Sequence, residues 1–178
     1  MLKRTRLQEI LQSFTRLELA VLGDVMLDEF LWGKVDRISP EAPVPIVQVK
    51  NETSRPGGAA NVAANIVSLG ARAHIVGVVG DDGAGRKLRE SLESEKIATD
   101  GLVIDPERRT TLKTRIIGHK QQMIRIDRES SGGIGEACGE LIHAAQRGAG
   151  GIQRGESEIE RGAIMGGQQL VAHFAAGV

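Results

Sequence analysis

Three observations on the 178-residue sequence predict an α/β fold, a Rossmann-type layered sheet with helices on its faces and a smaller β-unit beside it. Short apolar runs that end at Gly23 and Gly80 alternate with stretches of helical spacing, as buried parallel strands alternate with crossover helices. A glycine pair, Gly57-Gly58, opens one of those helices. Between them, residues 32–50 carry Pro40, Pro43 and Pro45 among Val44, Ile46, Val47 and Val49, which excludes a helix and favours strand.

In chain order, Leu7, Ile10, Leu11 and Phe14 recur at helical spacing and predict an amphipathic helix over 3–14 that packs on the domain. Residues 19–23 read as a first buried strand whose C-terminal end opens on the ligand crevice of an α/β sheet, with Asp24 and Asp28 following at that edge. One acid at such an edge is usually a cap. Two of them beside a Gly-Gly-Asn helix make a clamp for sugar hydroxyls, which carboxylates bind bidentately. Residues 33–52 form the β-excursion, which by default is an edge hairpin with Arg37 as a solvated charge.

The central stretch is Arg55-Pro56-Gly57-Gly58-Ala59-Ala60-Asn61-Val62-Ala63-Ala64-Asn65. Glycines before a helix let the backbone approach a ligand and aim free N–H groups at it. Asn61, one turn in, offers a donor and an acceptor to hydroxyls, and the small face Ala59, Ala60, Ala63, Ala64 lets the helix lie close on a sheet. Residues 73–79 predict a second parallel strand, followed by the turn Gly80-Asp81-Asp82-Gly83. Asp82 or Gly83 caps the next helix, with Ala84, Leu88 and Leu92 inward and Arg86, Lys87, Glu90 and Glu93 toward water. Neither a dinucleotide fingerprint nor a P-loop is present. A third strand over 102–104 stops before Pro106, and residues 110–118 and 121–127 form a hairpin around His119-Lys120 that sets Lys113 and Arg115 on one face.

Gly57, Gly58, Asn61, Ala63, Gly70 and Gly80 at this spacing resemble the first signature of the ribokinase-like (PfkB) sugar kinases. The flanks Gly23-Asp24-Val25-Met26-Leu27-Asp28, Arg37-Ile38-Ser39-Pro40-Glu41-Ala42-Pro43-Val44-Pro45 and Lys113-Thr114-Arg115 look like the heptose-7-phosphate kinase domain of ADP-heptose synthases. The resemblance covers about residues 5–130. It implies a ribokinase-like fold with a β-lid, about 33–52 and 110–127, that covers the sugar and serves as a dimer surface. It implies Asp28, Gly57, Gly58 and Asn61 as sugar-orienting residues, Asp24 as a second acid, and Arg115 as a phosphate contact, since arginine binds phosphate bidentately. ATP and Mg²⁺ are its implied cofactors. The implied reaction moves the γ-phosphoryl group to the anomeric hydroxyl of D-glycero-β-D-manno-heptose 7-phosphate, in ADP-heptose and lipopolysaccharide core biosynthesis. The alternatives are a catalytically inactive sugar-phosphate-binding or dimerisation module, and another sugar or nucleoside kinase of the same family.

Composition narrows the partners. Lys plus Arg and Asp plus Glu both number 23, and aromatics are 2% of the chain, which disfavours nucleic acid and acidic membranes. Cys138 is the single cysteine, so no internal disulfide forms, in keeping with a reducing cytoplasm. His74, His119, His143 and His173 lack metal-ligand spacing, and no metal site is expected. No apolar run spans a bilayer, and the basic N-terminus lacks a signal peptide's apolar region.

After Glu129 the character changes. Twelve of the 23 glycines lie in the last 47 residues, with one helical pattern near 135–146 and no convincing strand. Such a tail cannot readily offset its ordering entropy and is expected to be disordered. The family's Gly-Ala-Gly-Asp motif supplies the catalytic base and an anion hole of N–H groups. Its nearest counterpart, Gly148-Ala149-Gly150-Gly151, lacks the acid. Residues 1–130 therefore read as the N-terminal part of a kinase domain without base or ATP segments, and 131–178 as a tail without a family match, either from a truncated or frame-shifted reading frame or a divergent end.

Overall fold

The computed structural model describes residues 4–131, 139 and 169–174. A leading helix, α1 (Arg4–Ser13), and a 3-10 turn (Phe14–Arg16) precede β1 (Glu18–Gly23). The chain continues through β2 (Val25–Ile38), β3 (Pro45–Gly58), α2 (Ala59–Ser68), β4 (Arg72–Gly80), α3 (Gly83–Ser94), β5 (Ala98–Asp105), β6 (Thr111–Gly118), β7 (Gln121–Arg128) and β8 (Gln169–Phe174).

These strands form two four-stranded sheets. The first has the order β5-β4-β1-β8, with β1, β4 and β5 parallel and β8 antiparallel to β1. Parallel strands need both faces covered, and the apolar runs of β1 and β4 supply Val21, Ile75 and Val76, all essentially inaccessible. Onto this sheet α2 lays Ala59, Ala60 and Ala63, where only small side chains fit, while α3 contributes Leu88 and Leu92 from one face. Asp82 caps α3, its side chain accepting from the Gly85 N–H at 2.8 Å.

The second sheet has the order β3-β2-β6-β7. Strands β2 and β3 pair antiparallel around a turn that holds Pro40 and Pro43 and is closed by the Ser39 N–H on the Val44 carbonyl at 2.9 Å. Strand β6 runs parallel to β2, and β7 returns antiparallel through a two-residue turn in which His119 and Lys120 take φ of 48° and 66°. Both central residues at positive φ match the right-handed twist of a hairpin.

The structure corrects two expectations. The strand pair expected over 33–52 begins at Val25 and ends at Gly58, because Val25 and Leu27 bury their side chains in the main core and hold the foot of β2 there. Asp28 therefore lies inside a strand rather than in the edge loop after β1. In the tail, where no strand is expected, residues 169–174 pair antiparallel with all of β1, from Glu18 opposite Phe174 to Gly23 opposite Gln169. An otherwise unpaired edge of β1 draws even a weakly β-forming segment. The helical pattern near 135–146 and the four-residue Gly148–Gly151 sequence lie outside the described residues, apart from Gly139.

Candidate functional site

Asp28, Arg115 and Gly57, three of the predicted sugar-binding residues, meet where β2 leaves the main core. Leu27 points into the core, so the alternation of a strand turns Asp28 to the opposite face, beside β3 and β6. There the Asp28 Oδ1 accepts a hydrogen bond from Arg115 Nη1 at 2.6 Å, with both side chains about four-fifths covered. Arg115 also reaches the Lys113 carbonyl at 3.4 Å, and its guanidinium carbon stands 5.3 Å from the centre of the Phe30 ring. Phe30 in turn stacks on Trp32, with ring centroids 6.3 Å apart, and the Trp32 indole donates to Thr53 Oγ1 at 3.3 Å. Asp28, Arg115, Phe30 and Trp32 thus make one connected surface, in which a planar cation is held between a carboxylate and a ring.

The two glycines belong to the same corner. A Cβ at Gly57 would stand 2.7 Å from Asp28 Oδ2 and 2.9 Å from Met26 Cγ, so the bare backbone is what allows the carboxylate to lie against β3. Gly58 has φ of 59° and ψ of −132°, and a Cβ there would collide with the Asp24 carbonyl oxygen. That carbonyl accepts from the Ala59 N–H at 2.9 Å and so fixes the start of α2. The structure uses the backbone of Asp24 in this way, while its side chain is exposed. Asn61 sits third in α2 with an exposed side chain, and its carbonyl accepts from Asn65 Nδ2 at 2.9 Å. The fixed Asp28 carboxylate thus lies against Gly57, two residues before the start of α2, and Asn61 is exposed in the first turn of that helix.

A second polar cluster, only part of which sequence reasoning found, joins the sheets. The Thr110 hydroxyl accepts from the buried Gly80 N–H at 2.8 Å, and the Thr110 N–H donates to Asp82 Oδ2 at 3.0 Å. Burial pushes the Asp82 carboxyl up, but the hydrogen bonds from Gly85 and Thr110 and the charge of Arg86 outweigh it and hold the group below its ordinary value. An open depression of about 350 Å³ lies here, lined by Asp82, Ala84, Arg109, Thr110, Leu112 and Arg128. None of the predicted sugar-binding residues lines it, and its acid is already spent on the helix cap. Sequence reasoning also missed the chain across the second sheet, in which the buried Thr114 hydroxyl donates to Glu29 Oε2 at 2.7 Å and accepts from Arg128 Nη1 at 3.2 Å. Its members are 85 and 14 residues apart in sequence, so no local pattern announces it.

Among the described residues, no group of three His, Cys, Asp or Glu side chains is placed to hold a metal ion. No helix among them is long and apolar enough to cross a membrane.

A parallel sheet with α2 starting at a glycine corner, and a second sheet standing beside it, define an α/β protein of ribokinase-like fold. A carbohydrate kinase from Agrobacterium tumefaciens shares that fold, with a TM-score of 0.52 and 19% identity over 63% of this chain and 35% of that one. Residues 16–137 match the pfkB family carbohydrate kinase, and the chain belongs to that family. It is 50% identical over 139 residues to the bifunctional protein HldE of Caulobacter sp. (strain K31), covering 78% of this chain and 28% of that protein. With the bifunctional protein HldE of Desulfatibacillum aliphaticivorans the identity is 51% over 123 residues, 69% of this chain and 25% of the relative. The chain therefore spans about a quarter of the length of the curated relatives it matches.

Proposed function

We propose that this chain carries the sugar-binding part of a heptose-7-phosphate kinase, whose reaction transfers the γ-phosphoryl group of ATP to the anomeric hydroxyl of D-glycero-β-D-manno-heptose 7-phosphate for ADP-heptose and lipopolysaccharide core assembly. The observation that carries the reading is the Asp28 corner: a carboxylate fixed by Arg115, seated against Gly57, beside the helix that presents Asn61. The half-identical relatives named HldE favour heptose over other sugars of the family.

In this reading Asp28 accepts hydrogen bonds from two sugar hydroxyls, the start of α2 offers N–H groups, and Asn61 bridges a neighbouring hydroxyl. Holding Asp28 in one orientation matters because phosphoryl transfer depends on positioning and charge neutralisation rather than on covalent help from the protein. The second sheet closes one side of the sugar, and Met123, Ile124 and Ile126, exposed on β7, suit it to a homodimer contact. ATP and Mg²⁺ are the implied co-reactants. The carboxylates described here do not form a cluster that fits a metal ion, so the roles assigned to this chain are binding and orientation. ATP supply, with the single cysteine, suits the cytoplasm.

A catalytically inactive sugar-phosphate-binding or dimerisation module is the second reading, favoured by the engagement of Asp28 with Arg115, which suits that acid to holding a hydroxyl rather than to taking its proton. The test is calorimetric titration of the purified chain with heptose 7-phosphate, alongside phosphoryl transfer from ATP. Asp28→Ala or Asn61→Ala is expected to weaken sugar-phosphate binding more than tenfold, and unchanged affinity would refute the site. Binding with turnover supports the kinase reading. Binding without turnover supports the inactive module, and a panel of other sugars and nucleosides separates heptose from the family's alternatives.

A further inference from the structure

The face of the second sheet that carries Asp28 holds more positive charge than its own carboxylates neutralise. Register fixes which side chains share that face. Asp28 is paired with Arg55 on β3 and with Lys113 on β6, and Lys113 is paired with Asp127 on β7. One row further, Phe30 is paired with Thr53 and Arg115, and Arg115 with Arg125. Four cations therefore stand against two carboxylates in these two rows. Both carboxylates are already taken, Asp28 by Arg115 at 2.6 Å and Asp127 by both Nε and Nη2 of Arg125 at 2.8 and 2.9 Å.

Arg55 and Lys113 are left over. Neither has an ion-pair or hydrogen-bond partner for its side chain among the described residues. They flank Asp28 from opposite strands, with Cβ atoms of such paired neighbours about 5 Å apart. Lys113 is also partly covered, which raises the cost of a charge without a counter-ion. A ligand held by Asp28 through its hydroxyls would have its other end within reach of two free cations, whose combined charge matches one dianionic phosphoryl group.

We propose that Arg55 and Lys113 form an anion subsite that takes the phosphate of a phosphorylated sugar, and that Arg115 is a positioning residue for Asp28 rather than the phosphate contact. This rests on the sugar-binding reading of Asp28 above and adds the residues that select a phosphorylated substrate. It assigns the phosphate to side chains on two strands that approach Asp28 from either side.

The test uses the full 178-residue chain, with Lys113→Met and Arg55→Met variants, in calorimetric titrations with heptose, heptose 7-phosphate, inorganic phosphate and ATP. The wild type is expected to prefer heptose 7-phosphate over heptose by about a hundredfold. Each variant should cut that preference by about tenfold while leaving heptose affinity in place, the loss of one charge-assisted contact. Variants that keep the full preference would overturn the subsite. Variants that weaken ATP as much as heptose 7-phosphate would overturn its assignment to the sugar's phosphate. If the wild type binds neither sugar, the reading of Asp28 fails. Inorganic phosphate then decides the subsite alone, which stands if the variants lose phosphate binding and falls if all three proteins bind it equally.

Discussion

Gly58→Ala is expected to destabilise the chain by about 2–4 kcal/mol. The residue sits at φ 59° and ψ −132°, outside the small left-handed region that other residues tolerate, and holding a side chain there costs about 1–3 kcal/mol. The added methyl also meets the Asp24 carbonyl oxygen, so the end of β3 must retreat from the start of β2. That retreat sacrifices the Ala59 N–H bond to Asp24, worth about 1 kcal/mol. For a chain of this size the sum lowers the melting temperature by roughly 5–15 °C. The assay is urea unfolding followed by circular dichroism, with Gly83→Ala as the matched control. Gly83 is the first residue of α3, and its Cβ would meet no atom within 4 Å. There the same substitution should be neutral or stabilise by up to about 1 kcal/mol, through the helix preference of alanine. A Gly58→Ala midpoint equal to the wild type would refute the claim that the corner needs a backbone only glycine adopts.

Three further outcomes follow from the same geometry. Thr110→Val leaves the buried Gly80 N–H without its acceptor and should cost about 1–3 kcal/mol in urea unfolding, whereas Thr110→Ser should retain most of the stability. Asp82 and Glu18 both have carboxyls held below their ordinary range, Glu18 chiefly by the hydrogen bond with His74 at 2.7 Å and, against its burial, by Arg72. A lowered folded-state pKa contributes stability that is full above the unfolded value near ~4 and is lost as pH falls through the folded one. Melting curves between pH 7 and 3 should therefore fall less steeply at the acid end for Asp82→Asn than for the wild type, and parallel curves would refute the assignment. Gly57→Ala should displace the Asp28 carboxylate and the Met26 side chain, weakening heptose 7-phosphate binding about tenfold, and should lower the melting temperature less than Gly58→Ala because no positive φ adds to the crowding.

What the sequence disclosed follows from how local each feature is. Gly57, Gly58 and Asn61 lie within five residues of one another, so their spacing alone marks a glycine-opened helix, and the structure builds it. The cap of α3 is equally local, since Asp82 and Gly85 are three residues apart. Arg115 is another matter. Its partner Asp28 is 87 residues away, brought to it by the parallel pairing of β2 with β6, and a face reading of β6 alone leaves the arginine looking free for a ligand. The foot of β2 was hidden because Asp28 and Glu29 are poor strand formers, and only the burial of Val25 and Leu27 keeps that segment extended. Strand β8 was hidden because its pairing depends on the free edge of β1, a property of the sheet and not of residues 169–174.

The fourteen residues of β2 run without a break from the buried core to the outer end of the second sheet, and the same rod carries Val25, Leu27, Asp28 and Trp32. A sheet attached by flexible loops would swing on them, but this one is the extension of a strand anchored by the nearly inaccessible Val25 and Leu27. Any closure over a ligand must therefore bend the strand itself. The places where its ladder already slips, between Trp32 and Gly33 and between Lys34 and Arg37, lie beyond Asp28 as seen from the core. Bending there would move Ile38 and the proline turn while Asp28, Gly57 and Arg115 stayed still, so the proposed sugar-binding half of the site would be set before the other half closes.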